Sequence, residues 1–332
     1  MRAVVITKHG GPGVLQVQEQ PDPAPGPGEV SIEVAASGIN FADVMARLGL
    51  YADAPKTPCV VGYEVGGTIL ELGEGVEGLS PGQRVVASTK FGGYASRVVV
   101  PEIDLFPMPD RLSFEQGAAI PVNYGTAWAA LIRYGSLRPG ERVLIHSAGG
   151  GVGIAAIQIA KRYGAEVYGT ASPGKHARIT ELGVDHALDY TSAGWERGLP
   201  KFDVILDAVG GKSFRRDYGM LRAGGRLVAY GASAVVSGER RNLVTALRTV
   251  VQMPRFNMVK QMSESKIVIG LNMLSLWKDH GSLAPWIAPL RELLDDGTID
   301  PIIAGSFSFD EAGAAQNMIT ERRNLGKVVL AP

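Results

Sequence analysis

A glycine-rich turn between two regular segments restricts the fold of this chain more than any other feature. Residues 142–146 form an apolar segment typical of a buried strand, the turn SAGGGVG occupies 147–153, and 154–163 has the pattern of a helix. A further apolar segment at 166–170 predicts the next strand. Strand–helix alternation continues to residue 230, and alternation of this kind predicts a parallel, doubly wound sheet.

The first third of the chain has a different pattern. Short β-branched segments alternate with Gly- and Pro-rich turns such as PDPAPGPGE, which predicts a partly open barrel or sandwich. The segments lie at 3–6, 14–17, 30–34, 65–71, 84–87 and 95–100. Beyond the alternating region we expect a strand at 266–273, helical segments within 283–294 and a last strand at 326–330. A chain of 332 residues is long enough for two such domains.

The glycine turn has two registers that suit a dinucleotide, Gly151-x-Gly153-x-x-Ala156 and Ala148-x-Gly150-x-x-Gly153. In either register the chain can approach a pyrophosphate without a Cβ and can offer backbone amides at a helix N-terminus. The turn follows a predicted strand and opens a predicted helix, which is the context that this motif requires. We therefore expect a bound dinucleotide; the alternative is a turn that is merely tight.

The end of the second strand indicates which dinucleotide binds. A site selective for NAD carries Asp or Glu there to bind the ribose 2′-hydroxyl, but this chain has Thr170 followed by Ala and Ser172. Lys175 and Arg178 come next, and a hydroxyl with cations suits a 2′-phosphate. The sequence therefore favours NADPH, the alternative for the two cations being a solvated helix start.

The residues that a zinc dehydrogenase of this layout needs are missing. Cys59 is the only cysteine, and the histidines show no metal-ligand spacing. Tyr63 stands where a zinc enzyme has His, so Glu64 is expected to pair with a buried cation or a water. Reduction of a conjugated double bond does not need the Lewis acid on which alcohol oxidation depends. These residues therefore predict no metal and a reductase acting on an activated double bond.

Five motifs together resemble the quinone oxidoreductase (zeta-crystallin-like) family of the medium-chain dehydrogenase/reductase superfamily. The resemblance covers essentially the whole chain, and the segment GERRNLVTALRT is closer to the vesicle amine transport protein branch. The motifs are GINFADVMARLGLY at 38–51, GYEVGG at 62–67, PVNYGTAW at 121–128, SAGGGVG at 147–153 and NLGKVVL at 324–330.

The resemblance implies an α/β fold with two domains. A GroES-like, β-rich catalytic domain would comprise 1–122 and 275–332, and a Rossmann domain with a doubly wound parallel sheet would comprise 123–274. It also implies the glycine register that ends at Gly153. The implied NADPH contacts are Gly150, Gly151, Val152, Gly153, Thr170, Ser172, Lys175, Tyr190, Gly231, Leu271 and Asn324.

The resemblance also implies residues near the nicotinamide and the substrate. Asn40 and Thr126 resemble the polar groups beside the nicotinamide, and Tyr51 matches a family tyrosine. Met45 stands where many quinone reductases carry a second tyrosine, a departure that bears on the choice of quinone. The catalytic set is then Asn40, Tyr51 and Thr126, with Met45 added to the cofactor contacts. The alternatives are that Asn40 binds a loop and that Tyr51 is a pocket wall.

These residues leave three functions open. The first is NADPH-dependent reduction of a quinone or an α,β-unsaturated carbonyl, with Asn40, Tyr51 or a backbone amide stabilising the charge that grows on the carbonyl oxygen. The second is a catalytically weak NADPH-binding adaptor, which the vesicle-protein-like segment suggests. The third is an enoyl-thioester reductase.

The bulk composition limits the partners. Lys plus Arg and Asp plus Glu number 33 each, so no basic footprint for nucleic acid is present. No apolar run reaches the roughly 18 residues of a membrane span, and the start lacks a signal core, so we expect no stable membrane insertion and a cytoplasmic protein. The resemblance implies a homodimer, with the strand at 267–271 as a candidate edge.

Residues 235–262 interrupt the alternating pattern with an apolar and basic segment. We interpret it as a packed lid. Its cations leave peripheral membrane contact as the alternative. These cations are Arg240, Arg241, Arg248 and Arg255.

Overall fold

The computed structural model describes residues 1–236, 238–239 and 242–332. Eight strands precede the parallel sheet, and most of them pair antiparallel with their neighbours, as the β-branched segments predict. They are β1 (Arg2–Ile6), β2 (Leu15–Glu19), β3 (Glu29–Ile39), β4 (Cys59–Val60), β5 (Glu64–Leu72), β6 (Arg84–Ser88), β7 (Arg97–Pro101) and β8 (Leu105–Pro107).

The parallel sheet begins with the strand that precedes the glycine turn. Its strands are β9 (Arg142–Ile145), β10 (Glu166–Ala171), β11 (His186–Asp189), β12 (Phe202–Asp207), β13 (Leu221–Ala229) and β14 (Ile267–Gly270). Their order in the sheet is β11-β10-β9-β12-β13-β14, with parallel pairing throughout. This is the doubly wound order of dinucleotide-binding sheets, and the order reverses beside β9, where such sheets bind their ligands.

Two late strands return to the first part of the chain. They are β15 (Ile303–Ser308) and β16 (Lys327–Ala331), and β16 pairs antiparallel with β3. The seven-stranded sheet has the order β15-β16-β3-β5-β6-β8, with β7 attached to β3, while β2-β1-β4 form a smaller sheet. The two ends of the chain therefore build one β-rich unit around the helical middle.

Twelve α-helices fill the connections of the described residues. They are α1 (Phe41–Arg47), α2 (Phe114–Gly117), α3 (Pro121–Trp128), α4 (Gly151–Arg162), α5 (His176–Glu181), α6 (Lys212–Met220), α7 (Leu243–Gln252), α8 (Met258–Glu264), α9 (Met273–His280), α10 (Ala284–Ile287), α11 (Leu290–Asp295) and α12 (Ala312–Thr320). The helical segments expected within 283–294 are present as α10 and α11, with Pro289 between them. Proline has no N–H for helix bonding, so a new helix begins after it.

The segment 235–262 does not form the packed lid that the sequence analysis proposes. The apolar side chains of α7 and α8 face outwards, with Val244 exposed by 78% and Val259 by 74%. Arg240 and Arg241 lie outside the described residues. Within the rest, no helix has the length and apolar character needed to cross a membrane. Helices α7 and α8 are therefore surface features.

Candidate nicotinamide cofactor site

The glycine turn joins β9 to α4 with the geometry that a pyrophosphate needs. Gly150 is the N-cap of α4 and has extended backbone angles, so the amides of the first helical turn lack intrahelical acceptors. A Cβ on Gly153 would lie 2.3 Å from the carbonyl oxygen of Ser147 and 2.7 Å from that of Ala148. Close helix–turn packing is the role of the third glycine in this motif. The turn therefore fits the register Ala148-x-Gly150-x-x-Gly153.

The carboxyl end of β10 is bound to the turn. The Thr170 hydroxyl lies 3.3 Å from the amide of Ser147 and 3.2 Å from Nδ1 of His146. Ser172 follows as the N-cap of a short 3-10 helix, and Lys175 ends that helix. A Cβ on Gly149 would lie 3.1 Å from the Lys175 side chain. Thr170 and Lys175 therefore lie at the glycine turn, and Ser172 stands between them in the chain.

Lys175 also binds the end of the chain. Its Nζ donates to the carbonyl oxygens of Arg322, at 2.8 Å, and of Asn324. Burial lowers the pKa of Lys175. The Arg322 guanidinium lies 6.0 Å from the ring centre of Tyr190. Arg322 is a candidate contact for a 2′-phosphate that sequence reasoning missed, because only the fold brings it beside Tyr190.

Other predicted contacts lie at the carboxyl ends of their strands. Gly231 follows β13, and a Cβ on it would lie 3.0 Å from the carbonyl oxygen of Ala208, which follows β12. Leu271 follows β14 and donates its amide to the Ala229 carbonyl. The sheet therefore places both residues on the edge that carries the glycine turn.

A buried ion pair lies beside Asn40, at the start of α1. Lys327 Nζ binds Glu64 Oε1 and donates to Asn40 Oδ1 at 2.7 Å, while Asn40 Nδ2 donates to Glu64 Oε1 at 3.1 Å. The other Glu64 oxygen accepts the amide of Val122 at 2.7 Å. Lys327 and Glu64 are exposed by 3% and 0% in their side chains. The expectation that Glu64 pairs with a buried cation is confirmed.

Asp43 lies in the first turn of α1 and is the acceptor of three hydrogen bonds. It accepts hydrogen bonds from the backbone amides of Asn40 and Gly62 and from the hydroxyl of Tyr94, at 2.7, 3.1 and 2.9 Å. Burial raises the pKa of Asp43 to about 7 in spite of these bonds. These bonds fix the start of α1 and therefore the backbone of Asn40.

The remaining predicted substrate residues lie on or near α1 and α3. Met45 is on α1 and is half-buried, like Tyr51, which follows that helix. Burial, with the nearby charges of Asp53 and Asp43, raises the pKa of Tyr51 to about 12. Thr126 is buried on α3, exposed by 6%. The Tyr63 hydroxyl is buried and has no hydrogen-bond partner in the described part of the chain.

A second polar cluster lies at the carboxyl ends of β9 and β12. His146 Nε2 is 2.8 Å from Asp217 Oδ2, and Arg216 binds the other oxygen of Asp217. Burial opposes the charge of His146, but Asp217 and Asp207 keep its pKa raised. Burial raises the pKa of Asp207 to about 6. These bonds and the Arg216 cation make the cluster a hydrogen-bonded support for the strand ends.

Comparison with known proteins identifies the family. Residues 26–110 match the model of the alcohol dehydrogenase GroES-like domain, and residues 182–330 match that of the zinc-binding dehydrogenases. The synaptic vesicle membrane protein VAT-1 homolog of Homo sapiens is 34% identical over 340 residues, which cover 100% of this chain and 86% of that protein. The chain belongs to the medium-chain dehydrogenase/reductase superfamily.

Solved structures place it among the quinone oxidoreductase-like members of the superfamily, near the VAT-1 homologs. The Escherichia coli quinone oxidoreductase complexed with NADPH has a TM-score of 0.85 and 28% identity, with 100% of both chains covered. The CurK enoyl reductase has a TM-score of 0.86 and 25% identity, with 99% of this chain and 98% of that chain covered. These findings confirm the expected superfamily and the GroES-like plus Rossmann fold.

Proposed function

We propose that this medium-chain dehydrogenase/reductase is an NADPH-dependent reductase that transfers hydride to a quinone or an α,β-unsaturated carbonyl without zinc. The observation that carries the proposal is the contact of Lys175 with the glycine turn, beside a strand end that has no carboxylate. The quinone oxidoreductase neighbour that was solved with NADPH supports the same cofactor. The predicted contact residues, together with Arg322, would hold NADPH.

The phosphate end of the site supports NADPH over NADH. The amides of the first turn of α4 would bind the pyrophosphate, because a helix N-terminus favours an anion. Lys175 and Arg322 would bind the 2′-phosphate, next to Tyr190. NAD-selective sites instead use a carboxylate, which would repel that phosphate.

The residues expected near the nicotinamide support reduction of a conjugated acceptor. NADPH supplies the hydride when bound. Because the Tyr51 pKa is about 12, its hydroxyl keeps its proton at neutral pH and can donate to a substrate oxygen as negative charge grows there. Asn40 and Thr126 would contact the nicotinamide, and Met45 would line the acceptor side. Protonation of the product would come from solvent.

Two features support a zinc-free reaction. Tyr63 stands at the position of a zinc ligand, and the Glu64 carboxylate already binds the Lys327 ammonium. A zinc ion bound by Glu64 would lie a few ångströms from the buried Lys327 ammonium. The two positive charges would repel each other strongly, because the dielectric constant of a buried site is low. The residues present therefore do not fit a catalytic zinc ion.

The test follows NADPH absorbance with the purified protein. The acceptors are 1,4-benzoquinone, 9,10-phenanthrenequinone and a simple enone, with NADH as the cofactor control and a chelator present. The proposal expects acceptor-dependent, chelator-insensitive oxidation that favours NADPH. NADPH binding without turnover on any acceptor would instead favour a catalytically weak NADPH-binding adaptor. The similarity to the VAT-1 homologs supports this alternative.

The CurK likeness supports a second candidate, an enoyl-thioester reductase. An acyl-thioester acceptor in the same assay separates the two reductases. A lower KM and higher kcat for the enoyl thioester than for every quinone would replace the first proposal with the second.

Three further expectations remain proposals. The catalytic domain comprises 1–122 and 275–332 and the Rossmann domain 123–274, which membership of the two large sheets supports. The protein acts in the cytoplasm on a small molecule, without nucleic acid. It forms a homodimer through β14, which lies at the end of the parallel sheet and offers unpaired backbone groups.

A further inference from the structure

The segment 324–327 rests on the phosphate turn. The amide of Gly326 donates to the carbonyl oxygen of Gly149 at 2.9 Å, and Gly326 forms a parallel bridge with Gly150. Lys175 binds the Asn324 carbonyl. A strand of the catalytic unit therefore starts directly on the turn that would hold the pyrophosphate.

The side chain at the start of this strand reaches Asn40. The Lys327 ammonium has three acceptors close by, which are Asn40 Oδ1 at 2.7 Å, Glu64 Oε1 and Asn123 Oδ1 at 3.5 Å. Asn123 in turn lies against the turn, since a Cβ on Gly151 would be 2.5 Å from its Nδ2. An ammonium has three donors and no acceptor, so these three oxygens use its full capacity.

We propose that Lys327 is a positioning residue that fixes the orientation of the Asn40 amide relative to the phosphate turn, an inference that rests on the proposed function. Because Lys327 only donates, it must face the amide oxygen of Asn40. The Asn40 Nδ2 group is then directed to Glu64 Oε1, at 3.1 Å. Without the ammonium, the amide oxygen of Asn40 loses its charged donor, and only the acceptors on the Nδ2 side, Glu64 Oε1 and the Gly38 carbonyl oxygen, still orient the group.

The buried ion pair then has a role in aligning Asn40 with the glycine turn. The same four-residue segment binds the turn through its backbone and Asn40 through its last side chain. A cofactor held at the turn would therefore meet one fixed edge of Asn40 at its nicotinamide end. Misplacement of a positioning group costs rate much more than it costs cofactor affinity.

The experiment is a double-mutant cycle between Lys327→Met and Asn40→Ala, read in two ways. The first readout is kcat and KM for NADPH with 9,10-phenanthrenequinone. The second is the fluorescence emission of bound NADPH with no acceptor present, together with the NADPH dissociation constant. The fluorescence reports the surroundings of the nicotinamide without turnover, so it decides the inference even when the proposed reaction fails.

We expect Lys327→Met to lower kcat by about tenfold or more and to leave the NADPH dissociation constant within about threefold. Its NADPH emission should match that of Asn40→Ala. In the Asn40→Ala background, Lys327→Met should change kcat and emission by less than about twofold, because the two residues act as one unit. Additive losses, or an unchanged emission in Lys327→Met, would overturn the inference.

Loss of the ammonium alone leaves Glu64 buried without a counter-charge, and this variant can fail to fold. The double variant Lys327→Met with Glu64→Gln removes both charges and keeps an acceptor for the Val122 amide. It should fold and show the emission of Asn40→Ala. Wild-type emission from this folded variant would overturn the inference. Lys327→Arg should restore part of the wild-type emission, and Lys161→Met, at a surface pair with Asp185, is the control.

Discussion

Gly38 leaves the space that Lys327 occupies. A Cβ on Gly38 would lie 2.7 Å from Lys327 Cε, 2.6 Å from Glu64 Oε1 and 2.4 Å from the carbonyl oxygen of Ala118. Real Cβ atoms essentially never come this close to other atoms. The buried ion pair therefore depends on a missing side chain near the end of the neighbouring strand β3.

Substitution of Gly38 by Ala should destabilise the fold, because the backbone oxygen and the ion pair cannot both move away. Overpacking of this kind costs about 1–3 kcal/mol, which urea unfolding would measure. Gly219→Ala in α6 is the control, since no atom lies within 4 Å of its Cβ position. Ala in a helix is more stable than Gly by about 1 kcal/mol. Equal effects of the two substitutions would contradict the packing argument.

Substitution of Lys175 by Ala should reduce the preference for NADPH over NADH. The ammonium would bind the 2′-phosphate that only NADPH carries, and loss of a charged hydrogen bond corresponds to about tenfold or more in the affinity ratio. Titration of the protein with both cofactors measures it. Arg178→Ala should leave the ratio nearly unchanged, because Arg178 pairs with Glu181 at 2.7 Å. If Arg178→Ala lowers the NADPH/NADH affinity ratio more than Lys175→Ala does, the 2′-phosphate contact belongs to Arg178.

The buried carboxyl of Asp43 predicts how stability changes with pH. Its pKa in the fold is about 7, above the ordinary value of 3.8, so the folded protein keeps a proton that the unfolded chain releases. The stability from this group is complete below the unfolded pKa and is lost as pH rises towards 7. Urea unfolding at pH 5, 6, 7 and 8 should show this decline. Asp43→Asn should flatten it relative to the wild type, and parallel curves would refute the assignment.

Two buried tyrosines near α1 should respond differently to loss of the hydroxyl. Tyr94 donates to Asp43 at 2.9 Å, so Tyr94→Phe leaves that carboxyl short of a donor and should cost about 1–3 kcal/mol. The Tyr63 hydroxyl has no partner within the described ranges, so Tyr63→Phe should be neutral or stabilising. Thermal and urea unfolding measure both. A loss at Tyr63 equal to that at Tyr94 would show that Tyr63 does have a partner.

A charge on the outer face of β14 should separate the proposed dimer. Ile267 is exposed by 48%, whereas Val268 packs against the core, so Ile267→Asp tests the interface without disturbing the fold. Light scattering should report a monomer. Ile103→Asp is the control, because Ile103 is exposed by 60% but lies outside this strand. If the Ile267→Asp variant is still a dimer, the interface lies elsewhere.

The sequence predicts the parallel sheet well because its signals are local. The glycine turn, the β-branched strands and the helix at 154–163 follow one another along the chain. Each is predicted from its own residues, without knowledge of a distant partner. The strand expected at 266–273 is shorter in the structure, because Asn272 caps α9 through its side chain and ends the extended segment.

The polar contacts of the site depend on distant parts of the chain. Glu64 is expected to have a cation, but its partner is 263 positions away, and no spacing rule links such positions. Arg322 meets Tyr190 only because β16 returns beside the turn. The exposed faces of α7 and α8 follow a helical apolar pattern that is the same for a buried and a surface helix. The sequence could not separate the two.

The return of β16 to β3 has a consequence for synthesis of the protein. Glu64 and Asn40 are made early, yet the cation that neutralises Glu64 enters the chain only at position 327. Until that residue leaves the ribosome, the β-rich unit holds a carboxylate without its counter-charge and a strand edge without its neighbour. The six strands of the parallel sheet are all made by residue 270, so their pairing with one another does not need the residues that follow. Folding of this sheet can therefore run ahead of the unit that begins the chain.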